Sequence, residues 1–145
     1  MPQTTIKDCR LIELPTIRSD RQGTITPIYN NDSVPFEIQR VYYLYDVPAG
    51  SHRGGHAHKQ LEQLIVAASG SFDIEIDDGH DKKLFQLNRP SIGLYVPRML
   101  WRELGNFSGG GICLVLASRF YEEIDYYRNY SEFAKQKWNH ENTIS

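Results

Sequence analysis

The chain has 145 residues, of which 40% are apolar and 23% charged, with a formal net charge of −2. That composition excludes disorder and allows one core, in which folding buries roughly two-thirds of the surface of the extended chain. The small net charge gives no long-range attraction to nucleic acid or an acidic membrane, and no apolar run approaches the roughly 18 residues of a membrane span.

The opening MPQTTIKDCRLIEL lacks the basic and then apolar regions of a signal peptide, so a cytoplasmic protein is expected. Strands are predicted in order at Cys9–Leu14, Gly23–Tyr29, Gln39–Asp46, Gly55–His58, Gln63–Ala68, Ser71–Asp77, Lys83–Leu87, Ile92–Val96, Trp101–Leu104 and Ile112–Ser118. Turn signals at Pro48–Gly50, Ser69–Gly70, Asp78–His80 and Gly109–Gly111 separate them at short, even spacing, which points to an all-β sandwich or barrel. Phe72, Ile74 and Ile76 alternate with Asp73, Glu75 and Asp77, as in a strand with one wet face, whereas Leu64–Ala68 and Ile112–Ala117 are apolar on both faces, as in central strands. A short helix is expected near Ser131–Trp138, capped by Ser131, with Asn139–Ser145 fraying. Neither repeat nor linker divides the chain, so residues 1–145 are read as one domain. Cys9 and Cys113 lack metal or redox spacing and are read as buried small hydrophobes.

The densest chemistry lies between Gly50 and Gln63. On an extended strand His56 and His58 share one face, and Gly54 and Gly55 before them admit a closely approaching backbone or ligand. A single histidine is more often a packed or solvated residue, and His52, His80 and His140 are read that way. Two imidazoles on one face can take a proton from one atom and return it to another near neutral pH.

Gly50, His56, His58, Glu62 and Gly70 resemble the first motif of the cupin superfamily. The second motif is matched by Pro97 only in part, because Arg102 stands where its histidine would fall. A guanidinium repels a divalent ion, so neither a metal nor another cofactor is expected.

A longer pattern is more specific: Pro35–Tyr43 with its RVYY, Arg53–Lys59 as RGGHAHK, Glu62–Gln63, Gly93–Tyr95, Trp101–Glu103, Leu114–Ser118 as LVLAS, and Tyr121-x-Glu-x-Asp-Tyr126. Over about residues 20 to 135 the chain resembles the WxcM-like sugar-nucleotide 3,4-ketoisomerases. The Asp20–Gly23 turn departs from the family's D-x-R-G, since Gln22 separates Arg21 from Gly23.

That resemblance implies a jelly-roll homodimer that moves the ketone of TDP-4-keto-6-deoxyglucose from C4 to C3, toward a TDP-linked 3-amino deoxysugar. It also implies that His56 and His58 are the catalytic pair. Arg40 and Arg53 are candidates for the diphosphate, since planar guanidinium groups match phosphate oxygens in pairs. Tyr42 or Tyr43, only one of which can face inward, Gln63 and Tyr95 are candidate donors to the sugar. Lys59 and Trp101 complete the expected substrate contacts, Trp101 as core or pocket wall. Arg102 bears on which face of C4 is protonated, with a gluco-configured product preferred. The rivals are a 3,5-epimerase on the same scaffold, a non-catalytic sugar-binding cupin, and a metal-dependent dioxygenase, which Arg102 disfavours.

Overall fold

The computed structural model describes residues 3–144, and the side chains of all of these except residues 54, 138 and 140–144. Its strands are β1 (Arg10–Glu13), β2 (Ile17–Ser19), β3 (Gly23–Ile25), β4 (Arg40–Leu44), β5 (Arg53–His58), β6 (Gln63–Ser69), β7 (Phe72–Asp77), β8 (Lys82–Leu87), β9 (Ile92–Val96), β10 (Trp101–Gly105), β11 (Ile112–Ala117) and β12 (Tyr126–Tyr127). One helix follows, α1 (Tyr130–Ile144).

Two antiparallel five-stranded sheets, β1-β9-β6-β11-β4 and β12-β5-β10-β7-β8, form the all-β jelly-roll sandwich; β2 and β3 make a separate hairpin. Alternation along each strand builds the core between the sheets. Ile65, Ala67, Leu94, Val96, Cys113 and Val115 from the first sheet meet Phe72, Ile74, Ile76, Phe85, Leu87 and Leu104 from the second. Each large apolar side chain so buried contributes about 1.5–3 kcal/mol.

The outward residues of β6 and β11 are also apolar because the chain itself covers them. Val34 and Phe36, from the segment before β4, pack with Leu64, Val66 and Leu116 on the outer face of the first sheet. Cys9 and Cys113 are both buried and unpaired by any disulfide.

A third small cluster fixes the other side of the sandwich. Phe133 on α1 packs on Trp101 and Ala57 of β10 and β5, with the Trp101 and Phe133 rings 5.8 Å apart. Lys137, also on α1, donates from Nζ to the Met99 carbonyl at 2.6 Å and to Thr4 Oγ1 at 2.8 Å, tying the helix to the loop before β10.

The elements differ from expectation in three places. The strand expected over Gly23–Tyr29 stops at Ile25, just before Pro27, which has no N–H for a ladder, and pairs with the unexpected β2. The segment after Ser118, expected to be irregular, supplies β12, which pairs with β5 through Tyr126 opposite His58. The helix starts earlier and ends later than expected: Asn129 is its cap, with Oδ1 accepting from Glu132 N at 3.0 Å, and it extends to Ile144. No helix among the described residues is long and apolar enough to cross a membrane.

Candidate active site

β4, β5, β6 and β10 bring one polar cluster together at the edge of an otherwise apolar core. Tyr42, Arg53, His56, Gln63 and Arg102 line a cavity whose remaining walls include Ile65 and Val115. Its empty space is about 350 Å³ including the open mouth.

Strand register explains this convergence. Arg102 on β10 pairs directly with His56 on β5, while Leu104 pairs with Arg53. Two residues on β10 thus span three on β5, and the resulting bulge turns Arg53 to the same side as His56, which plain alternation forbids. Gly55 lies in the bulge: a Cβ there would sit 3.0 Å from the Trp101 ring and 3.2 Å from Glu103 Oε1. At Gly55 the close approach is therefore to the Trp101 side chain.

Hydrogen bonds run in one direction through the cavity wall. Arg102 is almost wholly enclosed, with 1% of its surface exposed. It donates from Nη2 to the Leu100 carbonyl at 2.9 Å and from Nη1 to Gln63 Oε1. Gln63 Nε2 in turn donates to the Tyr42 hydroxyl oxygen at 3.0 Å. Since one lone pair of that oxygen is taken by a donor, its own proton is available to an acceptor in the cavity. Burial pushes the Tyr42 hydroxyl above its ordinary pKa, so it stays protonated at neutral pH. Burial lowers Arg102 to about 10, which leaves it cationic there.

The two histidines are not equivalent. His56 lines the cavity, whereas His58 is fully buried. The His58 ring stands edge-on to His56 at 4.9 Å and against Tyr126 at 4.4 Å. Burial first, then the cations Arg102, Arg40 and Arg128 and the neighbouring His56, hold His58 far below the usual imidazole range, so it is neutral. Its Nδ1 lies 3.3 Å from Asp125 Oδ2, at contact distance but short of hydrogen-bond alignment.

Arg40 lies beside this group with its guanidinium 5.0 Å from the Tyr42 ring and 5.8 Å from that of Tyr121. Its Nε and Nη2 are buried without a hydrogen-bond partner, and such donors are costly to leave unmet.

The family description "FdtA: WxcM-like, C-terminal" matches residues 7–138. The chain belongs to this family. It is 42% identical over 116 residues, 80% of its own length and 84% of the other, to the TDP-4-oxo-6-deoxy-alpha-D-glucose-3,4-oxoisomerase of Aneurinibacillus thermoaerophilus. Its fold matches the TDP-quinovose 3,4-ketoisomerase of Campylobacter jejuni with a TM-score of 0.85 at 49% identity, covering 89% of this chain and 98% of that one. A 3,4-ketoisomerase mutant from Thermoanaerobacterium thermosaccharolyticum, crystallised with TDP-4-keto-6-deoxyglucose, matches with a TM-score of 0.87 at 38% identity over 90% of this chain and 94% of that one. The chain is an enzyme of the sugar-nucleotide 3,4-ketoisomerase kind.

Not every residue expected to contact substrate lines this cavity. Strand alternation sends Tyr43 outward from β4, 59% exposed, and leaves Tyr42 inside. Tyr95 points the opposite way from its inward neighbours Leu94 and Val96, packs on the outer face with Phe36 and Leu64, and donates its hydroxyl to Glu62. Trp101 alternates with the inward Arg102 and lies in the core under α1 rather than on the cavity. Lys59 follows His58 and turns away, its Nζ 5.1 Å from the Tyr127 ring.

The same facts bear on metal binding, which the wider superfamily suggests. Glu62, the residue that fits the cupin carboxylate, is bonded to Tyr95 on the outer face, and Arg102 faces His56. The residues present do not fit a divalent ion. Among those described, no group of three or more His, Cys, Asp or Glu side chains is placed to hold one.

The residues missed in the sequence are Asp125, Tyr126 and Arg128. The Arg128 guanidinium lies 4.3 Å from the Tyr126 ring, and its Nε donates to Glu123 at 2.6 Å. The run Tyr121-x-Glu-x-Asp-Tyr126 carries the family resemblance, but nothing in its spacing reveals that β12 folds back onto the histidine strand.

Proposed function

We propose that this enzyme converts TDP-4-keto-6-deoxyglucose to its 3-keto isomer, with His56 as the group that moves the carbon-bound proton. His56 takes the proton from C3, and the electron pair left behind forms the C3–C4 double bond as the C4 carbonyl becomes an enediolate oxygen. Tyr42 donates its hydroxyl proton toward that oxygen, and the Arg102 cation, acting through Gln63, stabilises the charge. The C3 hydroxyl then returns its proton to the Tyr42 oxygen as the C3 carbonyl forms, and protonated His56 returns a proton to C4. Atoms and electrons balance without an oxidant or cofactor.

The observation that carries this reading is the register of Arg102 against His56, which puts a fixed cation beside the one imidazole that lines the cavity among the described residues. His58, fully buried behind it, supports His56 rather than touching sugar. Incubation with TDP-4-keto-6-deoxyglucose in D2O, followed by NMR of the sugar ring, tests the proposal. A ketone moved to C3 with deuterium entering at C4 is expected. A ketone that stays at C4 while C3 and C5 exchange would replace this reading with epimerisation.

The sugar is assigned to this cavity and the nucleotide to the surface at its mouth. Arg40, with two buried donors lacking partners, and Arg53 on the cavity wall are the proposed diphosphate contacts. A gluco-configured product is supported by Arg102 and by the 49% identical relative, a TDP-quinovose enzyme; quinovose is 6-deoxyglucose. We assign the product to the making of a 3-amino sugar, and residues 1–145 to one domain acting as a cytoplasmic homodimer. The exposed apolar residues Leu11, Val41, Tyr43 and Tyr45 favour self-association, which light scattering of the purified protein measures.

A further inference from the structure

We infer that Asp125 is a positioning residue of the isomerase site, holding the His58 ring through Nδ1 so that His58 in turn fixes the plane and hydrogen-bonding face of His56. The inference rests on the proposed function and extends it to a residue with no access to substrate.

Three observations support it. First, Asp125 is 7% exposed, and its carboxylate is committed to the end of the histidine strand: Oδ1 accepts from Gln60 N at 2.8 Å and Oδ2 from Leu61 N at 3.3 Å. The Asp125 carbonyl also accepts from Lys59 N at 2.8 Å. The turn that follows His58 is therefore tied by three bonds to one residue. Second, Oδ2 is 3.3 Å from His58 Nδ1, and neither His58 nitrogen has an aligned acceptor or donor elsewhere among the described residues. Third, the remaining groups facing His58 are the cations Arg102, Arg40 and Arg128, its neighbour His56 and the Tyr126 ring. Asp125 supplies the carboxylate beside these groups, its Oδ2 at 3.3 Å from Nδ1.

A neutral imidazole must place its single proton on one nitrogen, and the partner of that nitrogen decides which. Beside Asp125 the proton belongs on Nδ1, where a small rotation of the ring completes the bond. The Nε2 lone pair is then directed to the opposite edge, and the ring presents one constant edge to His56, 4.9 Å away. A ring free to exchange tautomers would offer His56 two different electrostatic neighbours and broaden its orientation, at a cost to proton transfer.

Long-range proton–nitrogen correlation spectra of the full-length protein, labelled with nitrogen-15 in its histidines, test the inference directly. In the wild type His58 should appear as the neutral Nδ1–H tautomer from pH 6 to 8; the Nε2–H tautomer would overturn the assignment, and this readout needs no variant. Asp125→Asn keeps one acceptor for the turn, toward Gln60 N, and puts an amide NH2 in place of the oxygen beside Leu61 N and His58 Nδ1. It should shift His58 toward the Nε2–H form, lower kcat by about 10- to 100-fold, leave KM within about threefold, and move the pH profile of kcat. Asp125→Glu, which restores a carboxylate, should recover part of the rate. A wild-type kcat, pH profile and tautomer in Asp125→Asn would remove the residue from the site. If the wild type fails to isomerise TDP-4-keto-6-deoxyglucose, the proposed function falls, and the His58 tautomer still decides the role of Asp125 by itself.

Discussion

Arg102 stands directly across the β5–β10 ladder from His56, so a permanent cation occupies the point at which a metal-binding cupin would place its last imidazole. Among the described residues its hydrogen-bond partners are the Gln63 amide and the Leu100 carbonyl. Both are neutral acceptors, and the positive field remains available to a developing enediolate.

Enzyme purified without added metal should therefore contain far less than one equivalent of zinc, iron or manganese by elemental analysis, and should keep its activity through chelator treatment. Stoichiometric metal lost together with activity contradicts this.

The histidines should separate under mutation. His56→Asn, at the cavity wall, should cut turnover about 100-fold or more while leaving Tm near that of the wild type. His58→Asn removes a ring packed between Tyr126 and His56, so it should lower both rate and stability, the latter by about 1–3 kcal/mol. Calorimetry beside steady-state kinetics reads the difference, and equal Tm losses in the two variants would argue against the burial contrast.

Tyr42→Phe keeps the ring but deletes the oxygen that accepts from Gln63 Nε2. A buried amide proton is left unmet, at a cost of about 1–3 kcal/mol. Catalysis should fall at least tenfold, in keeping with a lost acid. Full activity in this variant would show that the hydroxyl does not serve the sugar oxygen.

His58 also predicts how stability depends on pH. Burial holds its folded pKa far below the ordinary imidazole value of about 6.5, so below that pH the unfolded chain binds a proton that the native state refuses. Stability then decreases as pH falls from about 6.5 toward 5, with a limiting slope from this group of about 1.4 kcal/mol per pH unit. Denaturant melts at pH 7, 6 and 5 should show the decline, and His58→Asn should flatten it.

Burial pushes the thiols of Cys9 and Cys113 up to about 12. Neither should react with a thiol reagent until the protein unfolds, and labelling at the rate of global unfolding is expected. Fast labelling of the native enzyme would show an open route to one of them.

The alternation of Phe72, Ile74 and Ile76 with acidic residues, and the two-faced apolar runs of β6 and β11, were legible in the sequence because side-chain direction follows residue by residue from an extended backbone. So was the shared face of His56 and His58, and the RGGHAHK and LVLAS patterns carried the family. Tertiary structure alone decided the rest. The β5 bulge turned Arg53 inward, register placed Arg102 against His56, and the outer-face cluster claimed Tyr95. The fold-back of β12 delivered Asp125 to a histidine whose number is 67 positions lower. Local sequence sets which way a side chain leaves its own strand, but which strand lies opposite, and in what register, depends on contacts between residues remote in the chain.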